Sequence, residues 1–278
     1  MEPAALGIIA GGGDLPKAIA ESAREAGRTV FVIALTGSAG TWVEGWPHER
    51  ASLGEVGKVI KALRTARVDD LVLAGKLARP KFHEVKLDAK GVLVAPRIIA
   101  AARHGDDALL RSVLELMERE GFRPVGSAEA APGLLAPAAV MGRMQPSTDD
   151  EADIAAAFKI VRSLGALDIG QAAVVCDGLA LAVEAAEGTD AMIARVGTLS
   201  DHIRGTPEKR RGVLVKAPKP TQDRRVDLPV IGVSTVRNAG SVGLKGIAVE
   251  AGGALILNRR EVVEEADRLG LFLIGVAG

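Results

Sequence analysis

One proline-rich segment, residues 213–229, holds the residue types best suited to phosphate chemistry. Its three prolines favour an extended chain, in which side chains alternate between two faces. Asp223, Arg225 and Asp227 are therefore predicted to share one face, with Lys216 upstream. Two carboxylates beside a guanidinium suit a metal-bound phosphate ester. The alternative is a surface ladder of ion pairs.

A second acidic cluster, made up of Asp168, Asp177, Glu184, Glu187 and Asp190, precedes this segment. Glu187 and Asp190 flank Gly188 and Thr189 at the predicted start of a helix. Because Mg²⁺ prefers carboxylate oxygens, this cluster is a candidate cation site. Thr189 or Asp190 could instead serve only to cap the helix. The chain offers no Cys/His cluster of the kind that binds zinc.

A glycine turn, Gly11, Gly12 and Gly13, separates an apolar strand from a helix near the N-terminus. Consecutive glycines let backbone N–H groups approach an anion at a helix start. The turn resembles a dinucleotide-binding fingerprint, but Pro16 stands where the third glycine belongs, and the second strand ends at Leu35 without an acidic residue. The pattern indicates a phosphate or nucleotide loop not specialised for NAD, or a tight turn without a ligand.

Two further segments supply candidate contacts to a ligand. Lys76 and Arg79 follow a buried strand, and ligands of open α/β sheets bind at the carboxyl ends of strands. A solvated loop with two ordinary cations is the alternative. Asp106 and Asp107 begin a predicted helix, where they either cap it or present a carboxylate pair to a ligand.

The elements that must position these residues alternate between strand and helix. Short apolar runs such as Val30–Leu35, Ala172–Cys176 and Val213–Lys216, separated by some of the 33 glycines, indicate strands buried on both faces. We predict an α/β protein of two domains. We predict that residues 1–134 form a Rossmann-like domain with a doubly wound parallel sheet. Residues 135–146 are predicted to be a linker rich in proline and glycine, and residues 147–278 a catalytic α/β domain with a mixed sheet.

Composition excludes several functions. The 35 basic and 35 acidic residues leave no net charge, which removes the electrostatic reason for nucleic-acid binding. Cys176 is the only cysteine, so the chain has no internal disulfide and suits a reducing compartment. No signal peptide is visible, and no apolar run approaches the roughly 18 residues that span a bilayer. We expect a cytoplasmic protein and leave open a peripheral contact with a membrane.

Taken together, the motifs resemble those of the LpxI-type UDP-2,3-diacylglucosamine pyrophosphatases of lipid A biosynthesis, in order and over nearly the whole chain. The matching segments are Gly11–Gly13, Gly75–Pro80, Gly105–Arg111, Glu187–Asp190, Lys216–Pro229 and Gly246–Asn258. The resemblance implies Mg²⁺-dependent hydrolysis of UDP-2,3-diacylglucosamine to 2,3-diacylglucosamine 1-phosphate (lipid X) and UMP, by attack at the phosphorus nearer the sugar. It also implies that two domains hold the lipid between them, near the inner membrane of a Gram-negative bacterium.

On this basis we expect Asp223 and Asp227, with Glu187 or Asp190, to bind Mg²⁺ or activate water. The expected catalytic set is Asp223, Asp227, Arg225 and Lys216. The expected substrate-binding residues are Gly11, Gly12, Gly13, Lys76, Arg79, Asp106, Asp107, Thr189, Lys219 and Gln222. Lys76, Lys216 and Arg225 are expected to neutralise the phosphate charge.

The expected partners are a lipid-linked UDP-sugar and a second copy of the chain in a homodimer. Two other functions remain open from the residues. One is a Rossmann-type NAD(P)-dependent oxidoreductase, against which the missing ribose acid and third glycine count. The other is a nucleotide-sugar-binding protein without catalytic activity.

Overall fold

The computed structural model describes residues 5–76, 85–103, 106–220 and 228–277, apart from the side chains at 106 and 107. Along the described chain a first unit runs to Gly133 and a second begins at Leu134. Each unit is built on its own sheet. The predicted α/β class is confirmed, with a parallel sheet in the first unit and a mixed sheet in the second.

The first unit contains a five-stranded parallel sheet in the order β3-β2-β1-β4-β5. Its strands are β1 (Ala5–Ala10), β2 (Val30–Leu35), β3 (His48–Ala51), β4 (Val68–Ala74) and β5 (Arg123–Pro124). Its helices are α1 (Leu15–Glu25), α2 (Val56–Thr65), α3 (Ala89–Ala102), α4 (Asp106–Arg119) and α5 (Ser127–Ala130). This strand order, in which the chain returns to the middle of the sheet after β3, is that of doubly wound folds.

The core of the first unit follows directly from the apolar spacing. Helix α2 places Val59, Ile60 and Leu63 on one side, and these residues are buried against the sheet residues Ile33 and Leu71. Strands β1 and β2 are apolar on both faces because helices cover a parallel sheet on both sides. The bounds of β2 are those that its apolar run predicts.

The second unit contains a six-stranded mixed sheet in the order β6-β13-β11-β9-β7-β8. Its strands are β6 (Val140–Met141), β7 (Ala172–Cys176), β8 (Leu179–Val183), β9 (Val213–Lys216), β11 (Gly246–Glu250) and β13 (Phe272–Val276). Strands β9, β11 and β13 run parallel, and the pairs β13–β6, β9–β7 and β7–β8 are antiparallel. A separate parallel pair joins β10 (Val230–Ile231) to β12 (Leu255–Ile256).

The described part of the second unit also contains the helices α6 (Thr148–Ala166), α7 (Gly188–Val196), α8 (Val233–Ser241) and α9 (Arg259–Leu269). Ser147 caps α6 in a capping box with Asp150, which explains the acidic first turn of that helix. None of the helices in the described part of the chain combines the length and the apolar character needed to cross a bilayer.

The segment 135–146, predicted to be a linker, is instead built into the second unit. Its residues Val140 and Met141 pair with Ile274 and Leu273 of β13. Ala136 is buried, and its N–H donates to the Ala254 carbonyl at 2.9 Å. Prolines and glycines indicate a break in the regular pattern, but the apolar residues between them add a strand to the sheet edge.

Candidate functional site

The glycine turn lies at the carboxyl edge of the first sheet, where its backbone is already paired. The Gly11 N–H donates to the Ala74 carbonyl at 2.8 Å, and Gly12 and Lys76 exchange two backbone hydrogen bonds of 2.8 Å. A Cβ on Gly11 would lie 2.6 Å from the Lys76 carbonyl oxygen. Glycine is therefore required at position 11 for two chain segments to approach, and the N–H groups of Gly11 and Gly12 are engaged by protein carbonyls.

The structure thus brings two predicted contacts, the glycine turn and Lys76, to one place. Gly13 adopts a left-handed conformation, with φ of 86°, immediately before α1. The Lys76 side chain is exposed at the end of β4. Among the predicted features of this edge, the Gly13 turn, the start of α1 and the Lys76 ammonium remain as candidates for contact with an anion.

The second sheet presents a buried network of side chains at the end of β9. Lys216 is only 5% exposed, and its ammonium donates to the Thr189 hydroxyl oxygen at 2.9 Å and to the Val230 carbonyl at 3.2 Å. The Thr189 hydroxyl donates in turn to a carboxylate oxygen of Glu184 at 2.8 Å. The other Glu184 oxygen accepts from the Gln171 N–H at 3.2 Å.

Strand pairing explains why this network forms from distant residues. The run Val213–Lys216 is buried throughout, and Lys216 ends it opposite Ala172 of β7. Glu184 directly follows β8, which pairs with β7. A buried ammonium is stable only with hydrogen-bond acceptors, and Thr189 and Val230 supply them. The network therefore fixes the position of the Lys216 ammonium.

Glu187 shapes the turn that carries Thr189. Its carboxylate accepts from the Ala185 N–H at 3.1 Å and from the Arg195 guanidinium at 2.9 Å. Backbone hydrogen bonding and the nearby Arg195 hold the pKa of Glu187 below its usual value. The exposed Glu187 therefore closes the turn and places Thr189 in the first turn of α7.

Glu187 and Asp190, the two described carboxylates expected to assist Asp223 and Asp227 in binding Mg²⁺, are engaged by other side chains. Glu187 is neutralised by Arg195, whereas Asp190 accepts a hydrogen bond from the Asn238 amide at 2.9 Å. Within residues 5–76, 85–103, 106–220 and 228–277 no three His, Cys, Asp or Glu side chains are grouped as a metal site requires. The acids expected to provide the main ligands, Asp223 and Asp227, lie outside the described residues, so the Mg²⁺ site stays a prediction.

Several predicted residues lie outside the described part of the chain: Arg79, Gln222, Asp223, Arg225, Asp227 and the side chains of Asp106 and Asp107. Lys219 is described, and it forms an ion pair with Asp168 at 2.6 Å. Among the predicted site residues that are described in the second unit, Lys216 and Thr189 are therefore the two that the structure joins by a hydrogen bond.

Sequence reasoning left Glu184, Gln171 and Val230 out of the site. Glu184 stands in the acidic cluster, but a carboxylate after a strand is ordinarily exposed, whereas this one is 6% exposed. Gln171 and Val230 contribute backbone groups, which carry no signal of residue type. The available signal was the spacing of Glu184 five residues before Thr189 across the turn into a helix.

The fold and this network define a two-unit α/β protein with polar side chains buried at the carboxyl edge of its second sheet. Residues 5–134 match the LpxI N-terminal domain and residues 137–274 match the LpxI C-terminal domain. The chain belongs to the LpxI family.

A curated relative extends over nearly the same length. The UDP-2,3-diacylglucosamine pyrophosphatase LpxI of Caulobacter vibrioides (strain ATCC 19089 / CIP 103742 / CB 15) is 48% identical over 271 residues, which cover 98% of this chain and 97% of that protein.

Proposed function

We propose that the protein is a hydrolase that cleaves the pyrophosphate bond of UDP-2,3-diacylglucosamine to give 2,3-diacylglucosamine 1-phosphate (lipid X) and UMP. The observation that carries this proposal is the 48% identity to a pyrophosphatase of that name, across almost the full length of both chains. Both domain models of the family match this chain, over residues 5–134 and 137–274.

The reaction adds water to phosphorus. The oxygen of water bonds to the phosphorus nearer the sugar, the bond from that phosphorus to the bridging oxygen breaks, and UMP leaves with the bridging oxygen. A carboxylate, Asp223 or Asp227, accepts a proton from the water. Charge on the phosphate oxygens increases in such a transition state, so fixed cations lower its energy.

Lys216 supplies one such fixed cation. Its ammonium is buried and oriented by Thr189 and Val230, so little reorganisation is needed when charge develops beside it. Arg225 and Lys76 are proposed to neutralise further phosphate charge. Thr189, Lys219 and Gln222, with Gly13 and the residues after it, are proposed to bind the substrate, together with Arg79, Asp106 and Asp107.

A requirement for Mg²⁺ is also proposed, and it depends on Asp223 and Asp227 because Glu187 and Asp190 are hydrogen-bonded within the protein. Oxygen ligands suit this ion. We further propose a cytoplasmic homodimer that meets the inner membrane from one side, since its diacylated substrate resides there.

The two other functions receive less support. An NAD(P) enzyme needs amide groups of the glycine turn for the pyrophosphate of the cofactor, and those of Gly11 and Gly12 are engaged by Ala74 and Lys76. A binding protein without activity would leave the substrate intact at equal concentrations of protein and substrate, which the following experiment reveals.

The test is mass spectrometry of UDP-2,3-diacylglucosamine incubated with the protein in water enriched in oxygen-18, with and without EDTA. The proposal expects labelled lipid X, unlabelled UMP and no turnover in EDTA until Mg²⁺ is restored. Lys216→Met, purified in parallel, controls for contaminating hydrolases. Intact substrate would overturn the proposed hydrolysis. Labelled UMP would show that water attacks the phosphorus nearer the uridine. Full activity in EDTA would show that the reaction does not require a metal ion.

A further inference from the structure

Helix α3 exposes apolar residues on its outward face. Val92 is 57% exposed and Leu93 78% exposed, and Ala89, Pro96 and Ala100 are exposed beside them. Spacings of three and four residues place these positions along one side of the helix. We call these five residues the α3 face. Surface helices usually show the opposite arrangement, with the apolar side turned inward.

The neighbouring helix α2 shows that usual arrangement. It buries Val59, Ile60 and Leu63 and exposes Lys61 and Arg64. The same unit thus contains one helix that is polar towards solvent and one that is apolar towards solvent. Contiguous exposed apolar surface of this kind is typical of an interaction site.

Further apolar side chains lie at the N-terminal end of α3. Leu87 precedes the helix and is 43% exposed, and Leu53 is 40% exposed. The two loops are adjacent, because the Asp88 N–H donates to the Gly54 carbonyl at 3.2 Å. In the described part of the first unit, the large apolar side chains that are exposed all lie here: Leu53, Leu87, Val92 and Leu93.

Cations flank the α3 face at both ends of the helix, with exposed Lys86 before its start and exposed Arg103 after its end. Four cations stand in or beside the helix: Lys86, Lys90, Arg97 and Arg103. Arg97 and Lys90 pair with Glu115 and Glu120 of the adjoining elements and keep 43% and 39% of their side chains exposed. Asp88, the N-cap residue of α3, accepts hydrogen bonds from the Gly57 and Gly91 N–H groups, both at 2.7 Å.

We propose that the α3 face docks on the surface of a lipid bilayer that contains anionic lipids, with the helix axis in the plane of the interface. A helix with an apolar face and flanking cations binds there by burying apolar area among the headgroups and by attraction to anionic lipid. Val92 and Leu93 insert, and Lys86 and Arg103 contact the headgroups.

Charge distinguishes a bilayer from the other natural occupant, a second copy of the same face. Two α3 faces in contact would bring Lys86 and Arg103 of each copy towards the cations of the other, and repulsion between like charges costs free energy. Anionic headgroups compensate these charges instead. The proposal rests on the proposed function in one respect: a diacylated substrate gives the protein a reason to reach a bilayer.

The experiment measures sedimentation of the full-length protein with vesicles, without substrate. The vesicles are phosphatidylcholine, either alone or with about a quarter phosphatidylglycerol. Leu93→Glu should weaken binding to the anionic vesicles by about tenfold or more. It replaces a leucine that is proposed to insert into the bilayer with a negative charge, which anionic lipids repel. The matched control is Leu167→Glu in the second unit, where Leu167 is 70% exposed, and it should bind as the wild type does.

Hydrolysis of substrate in detergent micelles separates docking from catalysis. The proposal expects Leu93→Glu to retain wild-type turnover in micelles while losing vesicle binding. Unchanged vesicle binding by Leu93→Glu overturns the proposal. So does loss of micellar turnover with vesicle binding intact, which would assign the face to the acyl chains, or a change of oligomeric state alone, which would assign it to a second copy. If only Leu93→Glu lost vesicle binding and neither the wild type nor any variant hydrolysed the substrate, the docking proposal would be supported and the proposed function overturned.

Discussion

The carboxyl edges of the two sheets are built in different ways. At the first edge, Gly11 and Gly12 are joined to Ala74 and Lys76 by hydrogen bonds between backbone groups. At the second, Lys216 is held by the side chain of Thr189 and the carbonyl of Val230. The first edge requires small residues for close packing, whereas the second holds an oriented charge. Equivalent positions in two α/β sheets therefore serve different purposes, and the second edge is the better candidate for chemistry.

The largest effect on turnover is expected from substitutions in the segment that follows β9. Asp223→Ala and Asp227→Ala should each lower kcat by about 10²-fold or more if they hold an ion or accept a proton. Arg225→Ala should also be impaired, since its predicted face is shared with both acids. Arg224→Ala, on the opposite predicted face, is the control. Near-wild-type turnover of both Asp variants, with unchanged melting temperatures, would leave only a surface ladder of ion pairs.

Removing the oriented charge tests the second edge directly. Lys216→Met should lower kcat by about 10²-fold, because a fixed cation beside the phosphates is lost. Lys245→Met is the matched control. Lys245 precedes β11, at the opposite edge of the same sheet, and pairs with Asp150 at 2.5 Å. Steady-state kinetics per folded molecule should show wild-type turnover for the control, and equal losses in both variants would refute the assignment.

Thr189 tests whether the network positions the lysine. Thr189→Val keeps the shape of the side chain but removes the hydroxyl between Lys216 and Glu184. We expect about a tenfold fall in kcat and about 1–3 kcal/mol of lost stability from the buried groups left unpaired. Thr189→Ser restores the hydroxyl and should restore both quantities. A serine variant as impaired as the valine variant would show that the methyl group matters instead.

The first edge should respond in stability rather than in turnover. Gly11→Ala places a methyl group 2.6 Å from the Lys76 carbonyl oxygen, so we expect a loss of about 1–3 kcal/mol in the free energy of unfolding. Gly45→Ala enters open space and should be nearly neutral. The measurement is urea unfolding beside KM. A raised KM in Gly11→Ala at unchanged stability would assign the turn to substrate binding.

Glu265 allows the second unit to be weakened without touching its carboxyl edge. Hydrogen bonds from Arg268 and then from Arg237 lower the pKa of Glu265 to about 2 from its usual 4.5. Between these values the unfolded chain binds a proton that the folded chain does not, so this stabilisation is complete above pH 4.5 and is lost as the pH falls towards 2.

Glu265→Gln should therefore melt below the wild type at neutral pH, and the difference should shrink as the solution is acidified. Its turnover per folded molecule should equal that of the wild type, because Glu265 contacts α8 and α9 and no residue of the network. Melting temperatures across pH provide the measurement. A difference that stays constant down to pH 2 would mean that the glutamate contributes by packing alone.

Local patterns predicted the strands well because each strand is a short apolar run bounded by glycine or polar residues. Strands β2, β7 and β9 have the bounds expected from such runs. Helix α3 was not predicted, since Pro96 interrupts its pattern and its apolar residues face outward. Strand β3, with the sequence His-Glu-Arg-Ala, carries no apolar alternation and forms because β2 provides a pairing partner.

The hydrogen-bond network around Lys216 could be predicted only in part, for a different physical reason. Residue type indicated Lys216 and Thr189 as functional, but their hydrogen bond depends on how β7, β8 and β9 pair. Burial of Glu184 likewise results from tertiary packing. A glycine-rich motif does not show whether its backbone N–H groups face a ligand or a protein carbonyl. In this protein the Gly12 N–H donates to the carbonyl of Lys76.

The position of β13 has a consequence for how the chain folds during synthesis. This strand is the last one described, yet it lies inside the second sheet, between β6 and β11, with Met141 opposite Leu273. All strands of the first unit precede Gly133, so that unit can fold while the ribosome is still translating the second. Strands β6 and β11 must wait for β13 with their edges unpaired. Chaperones are thus expected to hold the second unit rather than the first.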